Sequence, residues 1–359
     1  EYSTLIVELL VCLYLGGYKD KSLMIKNIKP LGFMWETRDP FLLCVHHNDA
    51  YPAGNGKMGP AASLSGRNIG QDFDRKDGWN MYHGSQIPGF PAHPHRGFET
   101  VTVVLEGLVD HHDSAGATGR YGDGDVQWMT AGSGLQHSEM FPLIKEDQLN
   151  PLELFQIWLN LPGISKTARP AYKMLWSESI PIIQSQDTQG RKIETRVIAG
   201  SIEDISAPDP APDSWAAQST NQVAIWVITL DADADFVLPA CEEGVNRDLY
   251  FYEGKTLKIA EQNIPEYHAV EISSSEEIHI QNGSVQSRLL LLQGRPIGEP
   301  VVRYGPFVMN TQAEIQKAFD DFRATEFGGW PWDRHDPINP ADQGRFARYS
   351  DGSEEIKDS

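Results

Sequence analysis

Two short pairs of side chains, each with i and i+2 spacing, constrain this chain more than any other feature of its sequence. His93 and His95 come just before a β-branched run, and His137 and Glu139 follow the tight turn Gly132-Ser-Gly134. Because alternate residues of a β-strand point to one face, each pair can direct both of its side chains at one point. Three neutral imidazoles and one carboxylate suit a borderline divalent ion such as iron, manganese, cobalt, nickel, copper or zinc.

The competing interpretation is that these histidines are hydrogen-bonded core residues. A single buried histidine would favour that interpretation, whereas two spaced pairs flanked by glycine turns favour a metal site. Since a ligating imidazole must be neutral, we expect metal affinity to fall as the pH drops through about 6.5.

Glu99 competes with Glu139 for the position of the fourth ligand. It lies four residues after His95, nominally on the same face, but Gly97 between them can break the alternation of the strand. Spacing therefore favours Glu139 as the ligand and leaves Glu99 beside the site or paired with Arg96.

Length, charge and cysteine content limit the classes of protein that fit. The 359 residues suffice for two domains, and the formal net charge of −20 argues against a direct nucleic-acid binder and against docking on anionic membranes. Three widely spaced cysteines form neither a disulfide framework nor a zinc motif, which indicates a reducing, cytoplasmic compartment. The apolar run at residues 5–17 is too short to span a bilayer.

Short apolar or alternating segments, separated by turns rich in glycine and proline, recur along most of the chain. Residues 100–106, 125–130 and 153–161 read as strands, and a second β-rich block covers residues 193–292. This pattern is typical of a β-sandwich or barrel and not of alternating βαβ units.

One segment near the C-terminus predicts a helix. Thr311 can cap it, and Glu314 completes a capping box. Ile315, Phe319 and Phe322 fall on one face, and Gly328-Gly329 follows as a stop signal.

Several long strings in the sequence resemble the pirin family of bicupin proteins. They are HPHRGFETVT, GDVQWMTAGSGLQHSEM, FQIWLNLP, GPFVMNT and FGGWPW, and the resemblance extends from about Met24 to about Phe346. It implies an all-β chain with two cupin (jelly-roll β-barrel) domains in tandem and a C-terminal helix. It also implies that only the first cupin binds metal.

From these signals we predict five segments. They are a leader outside the folded domains (residues 1–23), an N-terminal metal-binding cupin (24–165), a metal-free C-terminal cupin (190–310), a C-terminal helix and tail that pack back on the domains (311–346) and a frayed acidic end (347–359).

The resemblance also assigns roles to individual residues. The general cupin motifs match at the glycines and histidines of both segments, with Thr130-Ala131 standing where a proline is usual. Many cupins use the glutamate that corresponds to Glu99, whereas the pirin pattern implies Glu139 as the fourth ligand beside His93, His95 and His137.

By the same resemblance, the chain would hold Fe2+ and open flavonol rings such as that of quercetin with O2, with Glu139 accepting a proton. Four protein ligands on a six-coordinate iron leave two positions for substrate or dioxygen. The second hypothesis is a regulatory protein that senses the oxidation state of its metal and acts through a protein partner as a transcriptional co-regulator. A third is a cupin that has lost activity and keeps a structural role.

The remaining histidines are interpreted as structural. His46 and His47 are adjacent, so they face opposite sides of a strand and form a poor chelating pair. The run His111-His112-Asp113 is expected at the surface. His268 and His279 stand alone, which predicts no metal site in the second half. Five apolar residues near the ligands could line a pocket or belong to the core, namely Phe98, Trp128, Met129, Met140 and Phe155.

Overall fold

The computed structural model describes residues 24–357, and the predicted leader at residues 1–23 lies outside this range. The described chain is built mainly from β-strands. The strands up to residue 199 are β1 (Ile25–Pro30), β2 (Met34–Trp35), β3 (Phe41–Tyr51), β4 (Gly89–His95), β5 (Phe98–Glu106), β6 (Leu108–Asp113), β7 (Thr118–Gly122), β8 (Val126–Thr130), β9 (Leu135–Met140), β10 (Asn150–Asn160), β11 (Ala171–Leu175), β12 (Ile182–Gln186) and β13 (Lys192–Ala199).

The second part of the chain continues the same pattern and adds one α-helix, α1 (Gln312–Thr325). Its strands are β14 (Ser201–Ile202), β15 (Ile205–Ser206), β16 (Ala224–Leu230), β17 (Asp235–Leu238), β18 (Asn246–Glu253), β19 (Thr256–Ile259), β20 (Gln262–Pro265), β21 (His268–Ile272), β22 (Ile278–Asn282), β23 (Ser287–Gly294), β24 (Val302–Tyr304), β25 (Phe307–Met309), β26 (Phe346–Arg348) and β27 (Glu354–Ile356). Within residues 24–357, no helix has the length and apolar character needed to cross a bilayer.

The described residues form two compact units. The larger unit contains residues 31–182, 196–226 and 294–357, and the smaller unit contains residues 24–30, 183–195 and 227–293.

Two antiparallel six-stranded sheets make up most of the larger unit. We call them the β5 sheet, in the order β11-β8-β5-β10-β3-β2, and the β9 sheet, in the order β27-β26-β7-β6-β9-β4. Buried apolar side chains from both sheets pack into one core cluster, which includes Val104 of β5, Leu154 of β10, Val109 of β6 and Tyr121 of β7. The apolar side chains of this cluster therefore point inward, between the two sheets.

A seven-stranded sheet and a four-stranded sheet characterise the smaller unit. The seven-stranded order is β1-β21-β18-β23-β16-β13-β12, and the four-stranded order is β17-β22-β19-β20. The first strand of the described chain pairs with β21, placing Ile28 opposite Val270. Apolar residues fill the buried positions of these strands, among them Leu249, Ile280 and Leu290.

The predicted helix is confirmed at its start and along its buried face. The side chain of Thr311 accepts from the backbone N–H of Glu314, and the Glu314 carboxylate closes the capping box. Ile315 packs in a cluster with Phe307, against which Phe319 and Phe322 also lie. The helix ends at Thr325, where Glu326 adopts a left-handed conformation (φ 48°), three residues before the predicted glycines.

The end of the chain differs from the frayed tail that we predicted. Phe346–Arg348 pairs with β7, and Glu354–Ile356 pairs with β26, so both strands extend the β9 sheet. Phe346 and Ala347 are buried. The acidic composition predicted fraying, but the open edge of β7 supplies backbone partners that composition does not reveal.

Candidate metal centre

Strands β4 and β9 lie side by side and bring the predicted histidines together. His93 and His137 are direct cross-strand partners in the antiparallel register, and His95 follows two residues later on β4. The potential ligand nitrogens of the three imidazoles all lie within 4.8 Å of one another. The i and i+2 spacing therefore has the consequence expected from strand geometry, since both side chains of β4 face the same partner on β9.

Two proline carbonyls determine which nitrogens face the cluster. Nδ1 of His93 donates to the carbonyl of Pro91 at 2.9 Å, and Nδ1 of His95 lies 3.4 Å from the carbonyl of Pro306. A carbonyl only accepts, so each ring carries its proton on Nδ1 and keeps a lone pair on Nε2. Metal-binding histidines commonly have this arrangement.

His137 supplies a separate test of whether the site fits a metal. The side chain is fully buried, yet neither of its ring nitrogens has a hydrogen-bond partner within the described protein. A buried polar atom without a partner costs about 1–3 kcal/mol, so native structures rarely keep one unless a ligand or water satisfies it. An ion held among the three imidazoles would satisfy one of these nitrogens.

Burial also keeps the three imidazoles neutral. It lowers the pKa of His93 to about 4 and lowers the pKa values of His95 and His137 well below their usual value, with neighbouring imidazoles adding to the effect. The rings are therefore uncharged across the physiological range, as metal ligation requires. The transition that we expected near pH 6.5 shifts to more acidic conditions.

Glu139 lies at the edge of the histidine cluster. Its Oε2 is 3.9 Å from Nε2 of His137, and its carboxylate accepts hydrogen bonds from Thr102 Oγ1 (2.9 Å) and Gln156 Nε2 (2.6 Å). Burial raises the pKa of this carboxyl group. The side chain can therefore reach a metal held by the histidines or hold a proton next to it.

Glu99 is occupied elsewhere. Its carboxylate accepts from Thr130 Oγ1 (2.7 Å) and Ser214 Oγ (2.5 Å), and burial raises its pKa to about 7. Of the two alternatives left open for Glu99, a place beside the site or a pairing with Arg96, the structure does not show the second, because the Arg96 guanidinium contacts Asp321 at 2.7 Å. Arg96 and Glu99 flank the left-handed Gly97 (φ +85°), so strand alternation does not relate their directions.

The prediction that His111, His112 and Asp113 lie at the surface is also wrong. All three are buried, because β6 lies between β7 and β9 inside the sheet. The ring centroid of His111 is 5.6 Å from that of His137, and Gln127 and Asp113 hold its two nitrogens. The sequence contains a signal for this burial, since His111 and Asp113 have the same i and i+2 spacing as the two predicted ligand pairs.

Apolar and aromatic groups surround the cluster. The rings of Phe98 and Trp158 lie 5.1 and 5.3 Å from that of His95. The five apolar residues that could line a pocket or belong to the core are all fully buried in the structure, namely Phe98, Trp128, Met129, Met140 and Phe155.

A row of aromatic rings leads from the partly exposed His93 to the surface. Phe90 contacts His93 (6.4 Å between centroids) and His83 (5.7 Å), and His83 contacts Phe73 (5.2 Å). Phe73 in turn contacts Phe33, and these two side chains are 37% and 53% exposed. This row therefore connects the ring of His93 to exposed aromatic side chains.

The remaining histidines have structural partners or stand apart. His46 bonds to Glu153 (3.0 Å), and His47 bonds to Tyr82 (2.7 Å). His268 is bonded to a backbone carbonyl, and His279 is exposed on β22. Within residues 24–357, His93, His95 and His137 form the one group of three or more His, Cys, Asp or Glu side chains with metal-binding geometry.

Tandem antiparallel β modules, of which one carries a buried three-histidine cluster, define a protein of the bicupin class. The chain matches the family model of pirin at residues 65–159 and that of the pirin C-terminal cupin domain at residues 225–328. The chain therefore belongs to the pirin family, and the predicted fold of two tandem cupin domains with a C-terminal helix is confirmed.

Individual relatives agree with this assignment. A pirin-like protein of Caulobacter vibrioides is 37% identical over 241 residues, which cover 67% of this chain and 81% of that protein. Pirin-1 of Arabidopsis thaliana is 38% identical over 252 residues, covering 67% and 78%. The crystal structure of a quercetin 2,3-dioxygenase from Acinetobacter baumannii is similar with a TM-score of 0.64 and 28% identity, covering 86% of this chain and 96% of that one.

Proposed function

We propose that this protein is an iron-dependent dioxygenase that opens flavonol-like rings with O2. His93, His95 and His137 would hold the metal, with Glu139 as the fourth ligand. The observation that carries the proposal is the convergence of three neutral imidazoles within 4.8 Å, one of them buried with both nitrogens unsatisfied. The similarity to a solved quercetin 2,3-dioxygenase supports the choice of reaction.

The donor set favours a transition ion over a hard cation. Imidazole suits Fe, Cu, Ni and Zn, whereas Mg2+ and Ca2+ prefer all-oxygen sites. A redox-active ion held by His93, His95 and His137 would supply the one-electron chemistry that a reaction with O2 requires.

The protein's own side chains would orient the substrate and accept its proton. The exposed aromatic rings of Phe33 and Phe73 and the half-buried Phe90 offer stacking surface to a planar molecule that approaches His93. Glu139, with its raised pKa, could take the proton of a substrate hydroxyl at Oε1 or Oε2 while Gln156 and Thr102 hold the carboxylate in place.

The decisive experiment loads the apo protein anaerobically with ferrous ion, adds quercetin and measures oxygen uptake. We expect oxygen uptake to follow quercetin consumption. His137→Ala should abolish this uptake, and His279→Ala should retain it. His279 is a matched control, since it is an exposed histidine outside the cluster. Oxygen uptake no greater than that of His137→Ala would contradict the proposal.

The alternative is a regulatory protein that senses the oxidation state of its metal. The net charge of −20 favours a basic protein partner for it over direct contact with nucleic acid. An affinity for such a partner that differs between the ferrous and ferric forms, without quercetin turnover, would establish this function. A reducing compartment such as the cytoplasm, which we also propose, suits both functions and the thiols of Cys44 and Cys241, neither of which forms a disulfide within the described residues.

A further inference from the structure

We propose that the segment at residues 305–321, which lies near the end of the range matched by the C-terminal cupin model, is a working part of the metal centre and positions His95. The inference rests on the proposed function only in requiring that the three histidines bind a metal. The segment includes β25 and nearly three turns of α1, and it belongs to the larger unit.

The contact with His95 comes from the segment's backbone. The carbonyl of Pro306 lies 3.4 Å from Nδ1 of His95, as the carbonyl of Pro91 lies 2.9 Å from Nδ1 of His93. Each carbonyl fixes the proton on Nδ1 and leaves Nε2 as the ligand atom. Pro91 is close to His93 in sequence, whereas Pro306 is 211 residues away from His95, so the second contact depends on how the later segment is held.

Backbone pairing holds the segment against the residues after His95. The N–H of Val308 donates to the carbonyl of Arg96 at 3.0 Å. Gly97 has φ +85°, and a Cβ built on it would lie 2.0 Å from the carbonyl oxygen of Val308. The close approach of the two backbones therefore requires glycine at this position.

Lys166 joins the same two backbones from the side. Its buried Nζ donates to the carbonyl of Gly97 (2.9 Å), to that of Val308 (3.3 Å) and to Asn160 Oδ1 (2.7 Å). Burying an ammonium group among uncharged acceptors is energetically unfavourable unless all three of its protons are donated, as they are here. Lys166 thereby connects the backbone directly after β4, the strand that carries His95, to β25.

The helix provides the third attachment. Asp321 contacts the guanidinium of Arg96, the residue after His95, at 2.7 Å. Asp321 also contacts Lys317, one turn earlier on the helix, at 2.8 Å. Phe307 is fully buried in the cluster with Ile315, which fixes β25 to α1. The three attachments converge on Arg96 and Gly97, directly beyond a predicted ligand.

The test compares Lys166→Met and Asp321→Asn with the control Lys258→Met, which removes a lysine of the smaller unit that contacts Glu261 and lies outside the segment. Co2+ is the probe, and the readouts are its dissociation constant, its visible absorption spectrum and the tautomer of His95 measured by 15N NMR in the apo protein. We expect Lys166→Met to weaken Co2+ binding about 10–100-fold, as loss of groups that orient a ligand commonly does, and to change the spectrum. We expect a smaller loss for Asp321→Asn, and no change for Lys258→Met.

The outcomes separate the inference from the proposed function. A lower melting temperature with unchanged Co2+ affinity, spectrum and His95 tautomer in both variants would show that the segment has only a structural role, and would overturn the inference. Failure of the wild-type protein to bind Co2+ would count against the metal centre itself. The surface variant Asp321→Asn keeps the test informative if Lys166→Met does not fold.

Discussion

The larger and the smaller unit are both antiparallel β structures, but they differ in what their buried positions contain. In the larger unit, buried positions on β5 and β9 carry Thr102, His137 and Glu139. In the smaller unit, buried positions on β18 and β23 carry side chains such as Phe251 and Leu290, while His268 is half-buried and His279 is exposed.

The difference indicates what a cluster of candidate metal ligands requires of its surroundings. Desolvated imidazoles and carboxyl groups stabilise the fold less than apolar side chains, and a buried nitrogen without a partner destabilises it by about 1–3 kcal/mol. Both ring nitrogens of His137 are buried without a hydrogen-bond partner in the described protein, so His137 carries this cost unless a ligand binds to it. The smaller unit has no comparable group of ligands among the described residues.

The comparison predicts the largest effect for the loss of one buried imidazole. His137→Ala should weaken Fe2+ or Co2+ binding by more than about 100-fold, because a ligand is lost and not merely reoriented. Titration of the apo protein with either ion, followed by calorimetry, measures the change. His279→Ala should bind as the wild type does, and full metal content in the His137 variant would contradict the assignment.

A substitution in the smaller unit should have the opposite profile. Leu290→Ala removes a fully buried side chain from β23 and should lower the free energy of unfolding of that unit by about 2–5 kcal/mol. Metal affinity should be unchanged, since no ligand is touched. Denaturant unfolding of the apo protein, combined with Co2+ titration, checks both parts, and a parallel loss of affinity would show that the two units are not independent in this respect.

Local sequence signals predicted the strands, the helix cap and the convergence of the histidines. The capping box of Thr311 and Glu314 involves residues three apart, and each ligand pair involves residues two apart. Such signals depend only on the geometry of one element, so they can be found without knowing its neighbours.

Contacts between residues that are far apart in the chain could not be predicted from the sequence. Pairing of residues 25–30 with β21, the contact of Pro306 with His95 and the bond between Glu99 and Ser214 all join residues more than 100 positions apart. The burial of His112 is of the same kind, because its neighbour Trp332 comes from the C-terminal segment.

The two glutamates offer a sharper form of the comparison within the larger unit. Glu139→Gln should weaken metal binding about tenfold, because a neutral amide is a poorer ligand than a carboxylate. Glu99→Gln should leave affinity unchanged, since its carboxylate contacts Thr130 and Ser214. The measurement is Co2+ affinity for both variants at one pH. Equal losses in the two variants would mean that Glu99 also supports the ligands.

The smallest effect concerns the dependence of metal binding on pH. Because burial lowers the pKa of His93 to about 4, protons compete with metal for this ring only well below pH 6.5. Affinity should change less than about twofold between pH 7.5 and 5.5 if the histidines alone decide it, and should fall as the pH approaches 4.

The apo protein should respond differently over the same range. The unfolded chain takes up protons near pH 6.5 that folded His93 does not, so stability is greatest above about pH 6.5 and falls as the pH drops toward 4.

Glu139 has a raised pKa and could add its own proton to the metal titration at higher pH. Repeating the titration with Glu139→Gln separates the two groups. A decline in affinity above the pH range of His93 that this substitution removes belongs to Glu139, and one that persists would mean that the imidazoles are less desolvated than their burial indicates.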